Sequence, residues 1–302
     1  MSLSICAENN TNDGICASCG HSLVELLVSA AVASVIVLGA LQLYLSNQEA
    51  ARLQNALVHL HENGRFVLRF MRTVLRLAGS RNDWRAMGAG NQLGASSTLR
   101  IKAPPIIWSM THDGVRFDTL TVQYETGPDG GNTCTGSVAD PNTWYFSQYD
   151  VIPFSGDASL LQLVCRTGVL QKPVYGVAET IRTVGARQTG ILVAGADAFQ
   201  VLYGVRRRTM PSGGPERYVS AHDVDHGQEE VLTVRIGVLL SEPDYHSTEI
   251  ARVLMSRNIE VLDQRYDARA LTAALTVNGV LPLRRVFETT VLLRNGPVLW
   301  SP

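Results

Sequence analysis

A long apolar stretch near the start of the chain limits what this sequence can fold into. From Leu23 to Leu41 the chain reads LVELLVSAAVASVIVLGAL, and Glu25 is its single charged residue. A helix of this length crosses a hydrocarbon layer of ~30 Å, whereas a core helix of a soluble protein seldom stays apolar on every face. A secretory signal peptide is a poor match, because a polar segment precedes the apolar run and no small-residue cleavage site follows it. The sequence therefore predicts a membrane-spanning helix.

Glu25 is the unusual residue of this stretch. A carboxylate deep in a bilayer costs roughly 2–3 kcal/mol or more, so an intramembrane acid indicates a function. The alternative is that Glu25 lies at the headgroup level and only caps the first helical turn, where a carboxylate suits the helix dipole. Both interpretations stay open at this point.

The segment around Glu25 resembles the type III signal of type IV prepilins and pseudopilins. Residues 20–28 read GHSLVELLV, with a glycine before the cut and a glutamate at the fifth mature position. The resemblance implies that residues 1–20 are a cytoplasmic leader. It also implies that a prepilin peptidase cuts between Gly20 and His21 and N-methylates His21.

Such a cut creates a free amine at His21, four residues before Glu25. In a stack of helices, Glu25 of one subunit would meet the amine of a neighbour. Two such charges 4 Å apart attract by about 4 kcal/mol at an effective dielectric constant near 20, before desolvation is subtracted. Glu25 is therefore the predicted assembly residue.

Helical spacing continues beyond the apolar run. Apolar residues recur at steps of four and three and define one face of an amphipathic helix: Leu53, Leu57, Leu60, Gly64, Val67, Met71, Val74 and Ala78. Gly79 follows as a C-terminal cap. We predict one helix within residues 21–78, on the order of 80 Å long, with residues 22–45 as the transmembrane and assembly part and residues 46–78 as the amphipathic part.

The opposite side of this helix carries a second row of residues with helical spacing. Its members are Arg65, Arg69, Arg72 and Arg76. One interpretation is a contact stripe for acidic neighbours in a fibre or for DNA, and the other is a solvated face. No aromatic residues interleave with the arginines as a single-strand binding surface would require.

After Gly79 the pattern changes to short apolar runs separated by turn residues, which indicates strands. The predicted strands are Thr98–Lys102, Thr119–Glu125, Thr143–Gln148, Leu160–Cys165, Phe199–Val205, Val231–Leu240 and Val286–Leu293. The segment from Ile250 to Asp263 is either a short helix or a long excursion. The fold class is therefore α+β and pilin-like, with a long N-terminal helix packed on an antiparallel, β-rich periplasmic head formed by residues 79–302.

Several short segments in order resemble the PilW-type minor pilins. They are residues 62–66 (ENGRF), 199–205 (FQVLYGV), 218–221 (YVSA), 234–236 (VRI), 284–287 (RRVF) and 293–295 (LRN). The resemblance implies a low-abundance subunit at or near a pilus tip. Its implied partners are other minor pilins, the major pilin, the inner-membrane assembly platform and a tip adhesin. A pseudopilin of a type II secretion system and a head that binds DNA or a surface are the alternatives.

The cysteines divide at the predicted cut. Cys6, Cys16 and Cys19 leave with the leader, and Cys134 and Cys165 are the two that remain. In an oxidising periplasm this pair is predicted to form a disulfide, which stabilises by ~3–4 kcal/mol for a loop of this length. Two separate buried thiols are the alternative.

No motif for catalysis, a metal or a cofactor stands out, so none is predicted. The segment from His222 to His226 (HDVDH) lacks metal-site spacing, and the glycines between Gly88 and Gly94 miss the dinucleotide pattern. The net charge of −1 gives no global case for nucleic-acid binding.

Overall fold

A computed structural model describes most of the chain after the predicted cut. The described residues are 22–80, 107–110, 117–155, 157–170, 183–209, 213–225, 228–246, 258–267 and 282–293. The chain forms two compact units, Met1–Arg52 and Leu53–Pro302. The described elements are helix α1 (Leu23–Leu77), the short 3-10 turn Ala221–Asp223, and strands β1 (Ile107–Met110), β2 (Thr119–Glu125), β3 (Gly131–Asn132), β4 (Val138–Ala139), β5 (Trp144–Phe154), β6 (Asp157–Leu170), β7 (Thr183–Ala194), β8 (Ala196–Arg207), β9 (Arg217–Val219), β10 (Glu229–His246), β11 (Ile259–Val261), β12 (Gln264–Tyr266) and β13 (Pro282–Leu292).

The part of α1 in the first unit is exposed along its whole length. Every residue from Ser22 to Arg52 is accessible. Among the described residues, α1 is the one helix long and apolar enough to cross a membrane. Two serine hydroxyls in this part donate to backbone carbonyls of their own helix, Ser29 to Leu26 at 2.9 Å and Ser34 to Ala31 at 2.7 Å. These bonds satisfy the hydroxyls without a partner outside the helix.

The part of α1 in the second unit buries one face, as the spacing predicted. The buried residues are Ala56, Leu60, Gly64, Val67, Met71, Val74 and Leu75. Leu53 and Leu57 are partly buried beside them. Ala56 and Leu75 lie outside the predicted row and widen the buried face by one residue on either side.

The end of α1 is hydrogen-bonded to strand β2. The helix ends at Leu77, and Gly79 adopts a φ of 70°, which a glycine adopts without steric cost. The Gly79 amide then donates to the Gln123 carbonyl at 2.9 Å, and the Glu125 amide donates to the Ser80 carbonyl at 3.0 Å. The residues after the helix therefore pair with the part of β2 that lies beyond its pairing with β1.

Two antiparallel sheets make up the head. The first has the order β1-β2-β5-β6-β7, and the second has the order β13-β10-β8-β9. One core cluster contains the buried face of α1 and residues of both sheets. On β10, alternate residues Val234, Ile236 and Val238 belong to this core, as their period of two predicted. The predicted α+β architecture with an antiparallel β-rich head is confirmed.

A second, smaller core lies on the other face of the second sheet. Ala198 and Leu239 contact Val261 of the β11–β12 hairpin there, and Val286 packs beside them. A Cβ atom on Gly237 would come within 2.7 Å of the Val261 side chain, so the hairpin needs a glycine beneath it. The segment Ile250–Asp263 is thus partly an excursion, since residues 259–261 form a strand; residues 250–257 lie outside the described part.

The strand predictions overlap observed strands wherever the structure describes them. Thr119–Glu125 coincides with β2, and three others lie within the longer strands β6, β8 and β10. The predicted strands Thr143–Gln148 and Val286–Leu293 overlap β5 and β13 but each include one residue outside the observed strand. Thr98–Lys102 lies outside the described residues. The sequence prediction missed β7, because its glycines and polar side chains lack strand periodicity; it is identified by its pairing with β6.

Gly64 provides the closest approach between α1 and β13. A Cβ atom placed on Gly64 would overlap the ring of Phe287. Gly39, on the same helix, has nothing within 4 Å of the same position. Substitution of either glycine by alanine raises helix propensity, but only the substitution at Gly64 also disturbs packing. Comparing the two variants therefore separates the two effects.

We predict that Gly64→Ala lowers the melting temperature and Gly39→Ala does not. Each alanine adds about 1 kcal/mol of helix propensity, but overpacking at Gly64 costs about 1–3 kcal/mol. Thermal unfolding of the full chain in detergent micelles measures both. Equal shifts for the two variants would contradict the close packing of Gly64 on Phe287.

Candidate functional site

The predicted processing residues Gly20 and His21 lie outside the described part of the chain. Glu25 lies within the first turn of α1 and is exposed. Its amide donates to the Ser22 carbonyl at 2.9 Å, and the Leu26 amide donates to the same carbonyl at 3.2 Å. The Glu25 carboxylate thus occupies the end of the helix dipole that favours negative charge. Cleavage, methylation and the assembly role of Glu25 stay predictions.

The exposed apolar surface from Leu23 to Leu45 is the main candidate functional surface. Its large apolar side chains are more than half exposed: Leu23, Val24, Leu26, Leu27, Val28, Val32, Val35, Ile36, Val37, Leu38, Leu41, Leu43, Tyr44 and Leu45. A continuous apolar surface of this extent marks a membrane or protein contact. Glu25 and Tyr44 are separated by about 28 Å along the helix axis at 1.5 Å per residue.

That separation is close to the thickness of a bilayer's hydrocarbon core, ~30 Å. At the C-terminal boundary the Gln48 amide donates to the Tyr44 hydroxyl at 3.0 Å. Tyrosine with a polar neighbour is typical of the membrane–water interface. The helix therefore fits membrane anchoring, with a polar group at each end of one bilayer-length apolar segment.

Cys134 and Cys165 form a disulfide, as the sequence predicted, with their Cα atoms 6.2 Å apart. It joins the connection between β3 and β4 to β6, and both half-cystines are buried. Hydroxyl groups surround this connection: Thr133, Thr135 and Ser137 lie within 3.1 Å of one another, and Ser137 donates to Gln188 of β7 at 2.6 Å.

Two ion pairs of the head each join strands of the second sheet that are separated by one other strand. The most buried pair joins Arg284 of β13 to Asp197 of β8 at 2.6 Å, with side chains 8% and 3% exposed. The Ser241 hydroxyl donates to the other oxygen of Asp197 at 3.1 Å. Elsewhere Arg217 pairs with Glu229, linking β9 to β10. These contacts stabilise the fold.

Among the described residues, two buried tyrosines have a raised pKa. Burial raises the pKa of Tyr149 well above its usual value, and Tyr124 adds to the shift. Burial also raises the pKa of Tyr124, while a hydrogen bond with Ser147 lowers it. Both phenols therefore stay protonated at neutral pH and act as neutral core groups.

The structure brings no metal-ligand set together among the residues it describes. Ala221–Asp223 form a 3-10 turn, in which the Ser220 hydroxyl donates to Asp223 at 3.0 Å. His226 and the glycines from Gly88 to Gly94 lie outside the described part. The HDVDH segment is therefore a surface connection over its described residues.

The arginine row lies on the exposed side of α1, as its spacing predicted. Arg65, Arg69, Arg72 and Arg76 are all exposed, and Arg72 donates to the Thr289 hydroxyl at 2.8 Å. Sequence reasoning missed Phe66 and Phe70, which stack beside this row with ring centroids 5.9 Å apart. Their spacing of four residues on a helix was the available signal.

One protein family matches part of the chain. The family model described as type IV pilus-assembly protein W, PilW, matches residues 162–295. The PilW-type resemblance is confirmed. The match covers β7 to β13 entirely, together with most of β6. No curated protein and no solved structure matches the chain significantly.

The region from 162 to 295 is therefore similar to a family of type IV pilus-assembly proteins. The family is one of pilus assembly rather than of enzymes. The matched region carries the second sheet and its ion pairs, and the exposed apolar helix lies before it. This similarity and the exposed apolar helix both fit a protein associated with a type IV pilus.

We predict that removing one member of the buried ion pair destabilises the head strongly. Asp197→Ala leaves the Arg284 charge buried without its carboxylate and should cost about 3–5 kcal/mol. Glu260→Ala breaks the exposed pair with Arg265, whose side chains are 62% and 66% exposed, and should cost less than about 1 kcal/mol. Urea unfolding of the two variants measures the difference. A small loss for Asp197→Ala would contradict the buried pairing.

We predict that the disulfide makes stability depend on redox state. Reduction, or the double substitution Cys134→Ser and Cys165→Ser, should lower the free energy of unfolding by about 3–4 kcal/mol. Unfolding with and without dithiothreitol measures the effect. The double variant serves as the control, since reductant should not change its stability. Sensitivity to reductant in that variant would point to another cause.

Proposed function

We propose that this chain is a structural minor pilin that helps to initiate a type IV pilus and stays at or near its tip. The observation that carries the proposal is the fully exposed apolar segment of α1 in a PilW-type chain. An exposed apolar rod of bilayer length is stable in lipid or against other such rods, and not in water. The proposal requires no catalysis, metal or cofactor.

The proposed domain organisation follows from this role. Residues 1–20 form a cytoplasmic leader, residues 21–78 form the anchoring and assembly helix, and residues 79–302 form a periplasmic head. Prepilin peptidase removes the leader between Gly20 and His21 and methylates the new amine. The subunit then waits in the inner membrane, where lipid solvates the apolar part of α1.

Assembly replaces lipid contacts by helix contacts. Lipid tails are as apolar as the helix surface, so the exchange has little hydrophobic driving force. Selectivity has to come from packing and from polar groups, of which Glu25 is the one charged group inside the apolar segment. We propose that Glu25 pairs with the His21 amine of a neighbouring pilin and so selects the register of the stack.

The proposed partners are the other minor pilins, the major pilin, the inner-membrane assembly platform and a tip adhesin. The family match supports a pilus over a type II secretion system, because the family is described by pilus assembly.

The test removes the charge of Glu25 in cells that lack their own copy of this chain. We predict that Glu25→Ala and Glu25→Gln reduce surface pili by more than about tenfold, since the charge pair contributes several kcal/mol before desolvation. The matched control is Glu49→Ala, which removes an exposed acid of α1 beyond the apolar segment. Pili are counted by electron microscopy and by the amount of sheared pilin.

Two further measurements complete this test. Immunoblots of membranes should show equal amounts of all variants, and mass analysis of the wild-type chain should show an N-methylated His21 as its first residue. Normal piliation with Glu25→Ala would overturn the assembly role of Glu25. Normal piliation after deletion of the whole chain would overturn the proposed function.

A further inference from the structure

We propose that the outward side of α1 between Val58 and Leu77 docks a neighbouring pilin-type subunit through that subunit's carboxylates. This surface, the arginine face, consists of Arg65, Arg69, Arg72 and Arg76 with the apolar side chains beside them. The inference rests on the proposed assembly function and names the chemistry of the partner. It concerns a different part of α1 from the apolar segment.

The four arginines form a narrow line. At about 100° per residue they lie within about 60° of one another around the helix axis, and they extend over about 16 Å along it. The buried residues Leu60, Val67 and Met71 lie on the opposite side of the same helix. The line is therefore held in place by a helix whose other face is fixed in the head.

Apolar side chains next to the line remain exposed. Phe66 is 52% exposed, Val58 is 53% exposed and Leu77 is 43% exposed. The rings of Phe66 and Phe70 stack with an interplanar angle of 30°. This stacking arranges the apolar ridge before any partner binds, which lowers the entropic cost of docking.

Two of the four arginines carry a charge that the described part of the chain does not neutralise. The guanidinium groups of Arg65 and Arg69 form no hydrogen bond and no ion pair with any described residue. Arg72 binds a neutral hydroxyl, that of Thr289. By contrast, six arginines of the head each pair with a carboxylate of the head: Arg166, Arg206, Arg217, Arg235, Arg265 and Arg284.

Cations beside exposed apolar groups suit a protein partner that offers carboxylates around an apolar centre. Nucleic acid is disfavoured because the net charge of −1 provides no attracting field. One face of Phe66 is also occupied by Phe70, so it offers a poor platform for stacking a base. Helices whose N-terminal parts pack together also bring their continuations near one another, and this makes a pilin subunit the expected occupant.

The partner is identified by cross-linking in the producing cells. The photoreactive residue p-benzoylphenylalanine replaces Phe66 in the full chain, and in a control chain it replaces Val138, which is 84% exposed on β4. We expect the Phe66 position, and not the Val138 position, to cross-link to a pilin-type subunit at a peptide that contains Asp or Glu. Cross-links to lipid or nucleic acid, to a peptide without carboxylates, or to nothing would overturn the inference.

The role of charge is tested by a graded series at Arg65 and Arg69. Replacing both by Lys keeps the charge and should leave the yield of the cross-link within about twofold, whereas replacing both by Glu should lower it by roughly tenfold or more. Changing the partner's cross-linked carboxylates to Arg should restore the yield of the cross-link in the double variant Arg65→Glu, Arg69→Glu. Equal yields for the Lys and Glu pairs would overturn the inference, as would failure of the restoring change in a partner that still assembles.

The result is separable from the test of the proposed function. Suppose that Glu25→Ala abolishes pili but the double variant Arg65→Glu, Arg69→Glu changes neither cross-linking nor pili. The proposed assembly function is then supported, and the inference about the arginine face is wrong. If deletion of the chain leaves pili normal, the proposed function itself fails. Near-native unfolding of the double variant Arg65→Glu, Arg69→Glu is the fold control, since both side chains are exposed and neither guanidinium group bonds a described residue.

Discussion

The rest of the structure depends on a change in the hydrophobic pattern of one helix. Up to about Leu45, α1 is apolar on nearly every face, and from Leu53 it is apolar on one face only. A head that packs on one side of a helix cannot cover the first part, which is apolar all round, but it can cover the single apolar face of the second part. The chain therefore has to find another environment for the first part, whether lipid or neighbouring helices, while the second part organises its own domain.

The head is built to accept that second part closely. Gly64 has no side chain at the point where the ring of Phe287 lies against the helix. Gly79 turns the chain so that Gly79 and Ser80 hydrogen-bond to β2. Interiors are packed to crystal-like density, so such contacts tolerate little change in volume. The disulfide between Cys134 and Cys165 then constrains a connection with few apolar residues of its own.

The polar chemistry of the head is directed inward. Asp197 and Arg284 are buried together, and the high pKa of Tyr149 reflects a phenol that does not ionise at neutral pH. What faces outward is an apolar rod and a row of arginines on one helix. These two surfaces are available for contacts with neighbours, which fits the similarity of residues 162–295 to pilus-assembly proteins.

The sequence by itself determined the features that rest on local periodicity and on counting. The extent of α1, its buried face and its glycine cap follow from spacing along a helix, and the alternation on β10 follows from the pleat of a strand. The disulfide followed because two cysteines remain after the predicted cut. These signals survive in a single sequence because each is carried by residues close to one another or by a unique pair.

Only the tertiary structure decided what depends on partners distant in the chain. Strand β7 forms because β6 offers its edge, although its own sequence lacks strand periodicity. Leu239 is buried on the side of β10 where the pattern predicts exposure, because the β11–β12 hairpin covers that side. Asp197 and Arg284, which are 87 residues apart in the chain, meet through the common pairing of β8 and β13 with β10. Such contacts come from strand order and register, and no local property of either residue encodes them.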